Sequence, residues 1–300
     1  MKNTYCIIDV GTNNILFLVA STRNGINIIK RDSRISALGR DMRNSLLDDE
    51  AIKRTKLILA DFIEKALEFT NNIIVVGTSC SRDAKNIVEL SNWLEEIFQI
   101  KYYILSGDEE AMFNGLANIN EFKEFNNLVM FDVGGGSTEF IWIKDGKIIQ
   151  AKSIDLGIRR LQNTFNSNKT EKLKETQKLL STLPSSPFGD LVLVGIGGTA
   201  TSLSAMKFQL DEHDPQVVHK SKIVVNELSN TLNKLKGKTE SQIAKLMPFE
   251  PKQADLIETG AMIFTEILDY FGVKEFLVSD RGIQFGILAQ DKQKLKKMLS

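Results

Sequence analysis

The sequence predicts an α/β protein built from two similar lobes, and two observations support this fold class. Short apolar runs typical of strands alternate along the chain with longer stretches that have helical periodicity. The chain also contains one internal repeat: IIDVGTNNILFLV starts at Ile7, and MFDVGGGSTEFIW starts at Met130. Each copy consists of an apolar strand, an Asp-Val-Gly turn and a second strand. A repeated hairpin of this kind indicates two related lobes.

The composition is that of a globular protein without a bias toward a polyanionic partner. The 300 residues are 42% apolar and 25% charged, and 38 Lys and Arg residues balance 38 Asp and Glu residues. We therefore expect no nucleic-acid partner. Cys6 and Cys80 have no CxxC spacing, which indicates reduced thiols. Without a signal peptide or an apolar run of about 18 residues, the sequence predicts a cytoplasmic protein with no membrane partner.

The second hairpin carries the clearest functional signal. Asp132 ends its first strand, glycines 134–136 form the tip, and Ser137 and Thr138 lead into the strand from Glu139 to Ile143. Backbone N–H groups at such a tip form a concave surface that suits phosphate oxygens, and the adjacent carboxylate suits a hard cation. A strand follows the glycines, which argues against a Walker-type loop or a dinucleotide-binding turn. A plain tight turn would need only one glycine, so the pattern favours phosphate binding.

The first lobe continues from its own hairpin with alternating strands and helices. Strand segments are predicted at Gly25–Lys30 and Arg34–Leu38, and a helix is predicted over Asp49–Phe69 with Asp48 as its N-cap. A strand follows at Ile73–Gly77. The order strand, helix, strand is typical of an α/β lobe.

Two charged residues of the first lobe each have two possible roles. Arg82 follows a strand at its carboxyl end, so it either binds an anion there or forms a surface-charge pair with Asp83. Ser106 and Glu109 fit a capping box, which gives Glu109 a structural role. Glu110 either favours the helix dipole or takes a proton from a water molecule.

The polar segment Asn120–Asn127 is predicted to separate the lobes, which then comprise residues 1–121 and 122–300. In the second lobe, the strand at Leu191–Val194 runs into Gly195-Ile-Gly-Gly-Thr199 and a helix. The N–H groups and dipole of that helix start suit an anion, although the glycines are also compatible with close helix packing. The further helices predicted for this lobe are Leu156–Phe165, Thr170–Leu183, Asn226–Leu235, Ser241–Met247, Pro251–Phe271 and a last helix after the strand Glu275–Ser279.

With these residues in view, the chain resembles the exopolyphosphatase/guanosine pentaphosphate phosphatase (Ppx/GppA) family, within the superfamily of acetate and sugar kinases, Hsp70 and actin. The resemblance covers nearly the whole chain. It is carried by Asp9-Val-Gly-Thr-Asn13, Gly77-Thr-Ser-Cys-Ser-Arg82-Asp-Ala84, Ser106-Gly-Asp-Glu-Glu-Ala111, Asp132-Val-Gly-Gly-Gly-Ser-Thr-Glu139, Leu156-Gly-Ile-Arg159, Gly195-Ile-Gly-Gly-Thr199, Thr259-Gly-Ala261 and Ser279–Gly286. It implies two ribonuclease-H-like (actin-like ATPase) lobes with a cleft between them.

The resemblance also implies roles for individual residues. Glu110 occupies the position of the family's catalytic glutamate. Asp132 and Glu139 match carboxylates associated with a divalent cation, Mg²⁺ or another such as Mn²⁺. Phosphate contacts are implied for Thr12, Asn13, Arg82, Gly134, Gly135 and Ser137. After the two hairpin tips, the helix start at Gly197, Gly198 and Thr199 is the third candidate for phosphate binding.

Three positions depart from the family pattern. Asn14 stands where the family usually has Ser, and Gln253 and Gln284 stand where it tends to have Arg. The two lost cations weaken the expectation of high affinity for long polyanions. The extra C-terminal domains of longer members are not among these 300 residues, so a long closed channel is expected only if a second subunit completes it in a homodimer.

Four functions are compatible with these observations. The preferred one is an exopolyphosphatase that releases orthophosphate from polyphosphate with Mg²⁺ and a water molecule activated by Glu110. The second is the same hydrolysis of guanosine pentaphosphate (pppGpp), since no base-recognition pattern separates the two substrates. The third is an ATP-dependent kinase, and the fourth is a non-catalytic sensor of phosphate ligands.

Overall fold

A computed structural model describes residues 3–184 and 188–299. The chain forms two units: one contains the residues up to Ala117 together with those from Ile283 onward, and the other runs from Asn118 to Gly282. The sequence analysis instead placed the boundary after residue 121 and assigned the whole C-terminal end to the second lobe. That end joins the first unit because its apolar residues pack on the first sheet.

The first unit contains a five-stranded sheet. Strand β1 is antiparallel to β2 and parallel to β4, and the order across the sheet is β3-β2-β1-β4-β5. This is a ribonuclease-H-like arrangement, as predicted. The two strand segments expected before residue 38 are one continuous strand, β3. Its pairing with β2 shifts by one residue, because Val19 pairs with Lys30 and Ala20 with Ile28. The strands are β1 (Thr4–Val10), β2 (Asn14–Ser21), β3 (Asn27–Ile35), β4 (Ile73–Gly77) and β5 (Tyr102–Ile104).

The first helix of this unit begins where the sequence predicts it. Oδ1 of Asp48 accepts hydrogen bonds from the N–H groups of Glu50 and Ala51, which confirms it as an N-cap. Residues 79–98 form two helices, because Ala84 between them adopts an extended conformation. The helices are α1 (Asp49–Leu67), α2 (Ser79–Asp83), α3 (Val88–Phe98) and α4 (Gly107–Asn118).

The second unit repeats this sheet order and adds one strand. Its order is β10-β11-β9-β6-β7-β8, with β6 antiparallel to β7 and parallel to β9. The prediction of two related lobes is thereby confirmed. Strand β10 has only three residues and was not predicted. The strands are β6 (Asn127–Val133), β7 (Thr138–Lys144), β8 (Lys147–Ile154), β9 (Val192–Ile196), β10 (Lys222–Val224) and β11 (Glu275–Ser279).

Helices of the second unit pack with its sheet around a core that contains several aromatic residues. Phe131 of β6 contacts Phe140, Phe264 and Phe276. The helix predicted to start at Pro251 starts later, because Pro251–Gln253 forms a separate 3₁₀ turn. The helices are α5 (Ile158–Phe165), α6 (Lys169–Leu180), α7 (Gly197–Phe208), α8 (Pro215–Val218), α9 (Val225–Leu235), α10 (Glu240–Ala244) and α11 (Ile257–Phe271).

The C-terminal end forms two helices, α12 (Ile283–Leu288) and α13 (Lys292–Lys297), instead of the single predicted helix. Buried Phe285 and Ile287 of α12 join a cluster with Ile7 and Ile74 on the first sheet. A β-carbon on Gly286 would lie 1.8 Å from the carbonyl oxygen of Phe113, so α12 crosses α4 in backbone contact. Within residues 3–184 and 188–299, no helix is long and apolar enough to cross a membrane.

Candidate active site

The first hairpin turn lies beside the start of α2. The N–H of Gly11 donates to the carbonyl of Asn14 at 2.9 Å, and the N–H of Thr78 donates to the carbonyl of Val10 at 3.3 Å. Thr12 and Asn13, both predicted to contact phosphate, form the tip and are buried. The first unit therefore brings this turn and the segment that leads to Arg82 together.

The carbonyl groups of the first turn are held by the segment after β3. The N–H of Gly39 donates to the carbonyl of Thr12 at 2.9 Å, and the N–H of Ala37 donates to that of Asn13 at 2.8 Å. The described chain contains no cis peptide bond, and in a trans peptide the C=O and the following N–H point in opposite directions. The N–H groups of Asn13 and Asn14 therefore face away from this segment.

Arg82 and Glu110 form an ion pair. Nη1 of Arg82 lies 2.7 Å from Oε2 of Glu110 and donates to the carbonyl of Leu105 at 2.8 Å. The Glu110 side chain is only 11% exposed, so Glu110 is not a solvated charge at a helix start. Glu109 forms the predicted capping box, since its carboxylate accepts from the backbone and hydroxyl of Ser106.

A buried hydrogen bond ties α2, the short helix that carries Arg82, to β5. The hydroxyl groups of Ser81 and Tyr102 lie 2.7 Å apart. Gly77 permits this approach, because a β-carbon there would lie 2.1 Å from the phenol oxygen. Burial raises the pKa of Tyr102, so its hydroxyl stays protonated at neutral pH.

The second hairpin turn repeats the bonding pattern of the first. The N–H of Gly134 donates to the carbonyl of Ser137 at 3.0 Å. The carbonyls of Gly134 and Gly135 accept from the backbone N–H groups of Ile158 and Arg160, both at 3.0 Å. By the same peptide geometry, the N–H groups of Gly135 and Gly136 face away from α5. Consecutive N–H groups on one side of a turn suit an anion.

Asp132 lies against the start of α7. A β-carbon on Gly197 would be 2.3 Å from Oδ1 of Asp132, and Gly197 has a φ of +83°. The N-cap residue of this helix is Ile196, whose side chain makes no capping hydrogen bond, and Gly198 is exposed. The hydroxyl of Thr199 donates to the carbonyl of Val133 at 3.1 Å. The structure therefore brings Asp132, the glycine turn and the predicted helix start together in the second unit.

Glu139 is held by two serines, one of which the sequence analysis did not identify. Its Oε1 accepts from the hydroxyls of Ser137 and Ser153, each at 2.7 Å, and Glu139 is buried. Ser153 lies opposite Glu139 because the β7–β8 register shifts between Trp142 and Ile143. A regular hairpin through Asp145-Gly146 would place Lys152 there instead, and no residue pattern in this segment indicates the shift.

The carboxylates of the second unit fit a cation that is shared with a phosphate ligand. Asp132 and Glu139 are directly opposite in the β6–β7 register, so both side chains lie on one sheet face. Among the residues that the structure describes, no group of three or more His, Cys, Asp or Glu is arranged to hold a metal. Mg²⁺ commonly uses one or two carboxylates together with substrate phosphates and water, which matches this donor set.

Two of the three positions that depart from the family pattern, Gln284 and Asn14, bond to neighbouring residues. Gln284 is buried and its Nε2 donates to the carbonyl of Ile7 at 2.8 Å. Asn14 accepts through Oδ1 from Nδ2 of Asn13 at 2.9 Å. Gln253 lies at the end of the 3₁₀ turn. Gln284 thus holds α12 on β1.

Known proteins resemble this chain in sequence. Residues 18–295 match the Ppx/GppA phosphatase family. A bifunctional 3-dehydroquinate synthase/phosphatase from Fusobacterium nucleatum is 30% identical over 94% of this chain, which spans 46% of that relative. Exopolyphosphatase 2 of Mycobacterium tuberculosis is 27% identical, with 93% of this chain and 96% of the relative covered. A guanosine-5'-triphosphate,3'-diphosphate pyrophosphatase from Pseudoalteromonas translucida is 32% identical over 52% of this chain and 32% of the relative.

Solved structures support the fold. The Aquifex aeolicus PPX-GPPA enzyme superposes with a TM-score of 0.80 at 25% identity, covering 96% of this chain and 99% of that one. An exopolyphosphatase from Cytophaga hutchinsonii has a TM-score of 0.84 at 18% identity, with 98% of both chains covered. The predicted fold class and the predicted resemblance are confirmed, and the names of the relatives agree with the prediction of a phosphatase. This chain belongs to the Ppx/GppA phosphatase family.

Proposed function

We propose that this protein is an exopolyphosphatase, which hydrolyses the terminal phosphoanhydride bond of inorganic polyphosphate and releases orthophosphate. The observation that carries the proposal is the shared geometry of the two hairpin turns. In each turn, neighbouring chain segments bind the carbonyl groups, so consecutive N–H groups face the other way. Such N–H groups are donors for the non-bridging oxygens of a phosphate chain.

Glu110 is the proposed general base. Its carboxylate takes a proton from a water molecule while the water oxygen forms a bond to the terminal phosphorus. The bond between that phosphorus and the bridging oxygen breaks, and the electron pair stays on the shortened chain. The contact with Arg82 holds the Glu110 carboxylate in a fixed position, which favours proton transfer from one site.

Arg82 is a proposed phosphate contact as well as the partner of Glu110. Its Nη1 contacts Glu110 and the carbonyl of Leu105, and its side chain is 21% exposed. A planar guanidinium carries five N–H donors in a fixed geometry that suits phosphate as well as carboxylate oxygens.

Asp132 and Glu139 are the proposed ligands of the divalent cation. A bound Mg²⁺ would reduce the negative charge on the transferred phosphoryl group and on the leaving oxygen. The helix start at Gly197–Thr199 lies beside Asp132 and is proposed to bind a phosphate oxygen through its N–H groups.

We favour polyphosphate over guanosine pentaphosphate as the substrate because of how much of the chain each group of relatives matches. The exopolyphosphatase of M. tuberculosis matches nearly end to end, whereas the P. translucida pyrophosphatase matches over about half of this chain. Hydrolysis of guanosine pentaphosphate by the same residues is the second candidate. Partial matches to proteins named for that activity favour it over a kinase.

Orthophosphate release by the purified protein tests the proposal. Long polyphosphate, short polyphosphate and guanosine pentaphosphate are supplied separately, each with and without Mg²⁺, and the Glu110→Gln variant serves as control. We expect release from polyphosphate that depends on Mg²⁺ and is lost in the variant. Release from guanosine pentaphosphate alone would establish the second candidate. Binding of all three without any release would overturn the hydrolase and support a phosphate sensor.

A further inference from the structure

In the glycine turn of the second hairpin, a third backbone carbonyl accepts a hydrogen bond. Besides the backbone bonds to Gly134 and Gly135, Nε of Arg160 donates to the carbonyl of Gly136 at 2.7 Å. Arg160 thus binds two successive carbonyls, one with its backbone N–H and one with its side chain. The bond from Nε fixes the orientation of the peptide between Gly136 and Ser137.

We propose that Arg160 is a positioning residue for phosphate binding at this turn, and this rests on the proposed function. Because the carbonyl of Gly136 points toward Arg160, the N–H of Ser137 points the opposite way, to the same side as those of Gly135 and Gly136. Arg160 therefore completes a set of three N–H donors. It acts through the turn and not by contacting the phosphate.

A glycine turn needs such a restraint more than other turns. Glycine tolerates most backbone conformations, so rotation of the peptide after Gly136 meets little steric resistance. A rotated peptide would present a carbonyl oxygen to the anion in place of the Ser137 N–H. The hydrogen bond from Nε of Arg160 to that carbonyl opposes the rotation.

Arg160 also forms an ion pair at the surface. Its Nη2 lies 3.5 Å from Oδ1 of Asp155, whose side chain is 80% exposed. Solvent weakens such a pair. The turn and α5 are in close contact, since a β-carbon on Gly157 would lie 2.3 Å from the carbonyl carbon of Gly136.

Two substitutions of Arg160 separate its hydrogen bond from its charge. Along the side chain, the amide nitrogen of Gln occupies the same position as Nε of Arg, so Arg160→Gln keeps a donor and loses the charge. Lys has a methylene at that position, so Arg160→Lys keeps the charge and loses the donor at the Nε position. Asp155→Asn serves as control for the exposed ion pair.

The experiment measures binding of inorganic phosphate to the full chain by ¹⁵N NMR at the amides of Gly135, Gly136 and Ser137, together with KM and kcat for polyphosphate. For Arg160→Lys we expect the phosphate dissociation constant and KM to rise on the order of tenfold. For Arg160→Gln and Asp155→Asn both quantities should stay close to those of the unsubstituted chain. Urea unfolding of each variant shows that it is folded.

Weaker phosphate binding by Arg160→Gln, with normal binding by Arg160→Lys, would show that the charge matters and would overturn the proposal. Equal impairment of both variants, or none, would also overturn it, as would the absence of any phosphate shift at these amides in the unsubstituted chain. Gly157→Ala moves the helix start away from the turn without changing Arg160, and it should weaken phosphate binding in the same way. Phosphate shifts with no polyphosphate hydrolysis would refute the exopolyphosphatase and leave this inference standing.

Discussion

Nη1 of Arg82 lies 2.7 Å from Oε2 of Glu110, and this ion pair joins α2 to the first turn of α4. The same nitrogen donates to the carbonyl of Leu105, just before α4. The Glu110 carboxylate is therefore held by a cation that is itself anchored to the backbone. A base in this setting has a restricted position, and loss of either partner is expected to affect the other.

Replacement of Glu110 tests its catalytic role. Glu110→Gln removes the proton acceptor and keeps the size of the side chain, so kcat for polyphosphate should fall by about 10²–10⁴-fold. Inorganic phosphate binding should be retained, because the hairpin turns are unchanged. Steady-state kinetics and a phosphate titration measure the two effects.

The neighbouring Glu109→Gln variant is the matched control. Glu109 is exposed and caps the helix start, and Gln also serves in a capping box, so its kcat should be unchanged. Equal kcat values for the two variants would assign Glu110 a structural role.

Adjacent glycines at the start of α7 should respond differently to substitution. Gly197→Ala forces a non-glycine residue to a φ of +83° and places a β-carbon within 2.3 Å of Oδ1 of Asp132. The backbone conformation alone should reduce the free energy of unfolding by about 1–2 kcal/mol. Gly198→Ala meets no atom within 4 Å and should leave that free energy unchanged or slightly raised. Urea denaturation compares the two, and equal stabilities would contradict the close approach of Asp132 to Gly197.

Ser153 is expected to influence cation binding through Glu139. Ser153→Ala removes one of the two hydroxyl donors to Oε1, which allows the buried carboxylate to change orientation. If Glu139 binds the cation, the Mn²⁺ dissociation constant should rise by roughly tenfold, as judged by electron paramagnetic resonance. Ser229→Ala, at an exposed serine whose hydroxyl donates to Val225 of the same helix, is the control. An unchanged Mn²⁺ affinity in the Ser153 variant would argue against Glu139 as a ligand.

The two buried thiols predict a loss of stability at alkaline pH. Burial raises the pKa of Cys80 to about 12 and raises that of Cys6 further. Below the unfolded pKa of about 8.5, both states hold the thiol protons and stability is unaffected. At higher pH only the unfolded chain releases them, so the free energy of unfolding should fall by about 1.4 kcal/mol per pH unit for each thiol, up to the folded pKa.

Urea denaturation at pH 8 and pH 10 measures this effect, and a variant with both cysteines changed to alanine is the control. The variant should lose less stability over the interval than the unsubstituted chain. Identical losses would show that the thiols ionise equally in both states.

Much of the fold could be predicted because its signals are local. The Asp-Val-Gly repeat predicted two related hairpins, and the turns at Gly11 and Gly134 have the same internal hydrogen bond. The N-cap at Asp48 and the capping box at Ser106 depend on side chains within a few residues of each other.

The missed features depend on contacts between distant residues or on small irregularities. Ser153 reaches Glu139 through a register shift that no turn residue indicates. The placement of α12 in the first unit follows from its packing against Phe113 and Ile7, which sequence periodicity does not specify. The sequence predicted that Arg160 lies in a helix, but its bond to Gly136 depends on how α5 packs against the turn.

The discontinuous first unit has a consequence for the order of folding during synthesis. Residues 118–282 form one uninterrupted unit, so their core can close as soon as they leave the ribosome. The first unit must wait for α12, whose Gln284 bonds to Ile7 across 277 positions. Until then, the sheet face with Ile7 and Ile74 lacks part of its cover. The portion of the chain made first therefore completes its fold last, and a nascent chain that stalls before Ile283 presents this apolar face to chaperones or to aggregation.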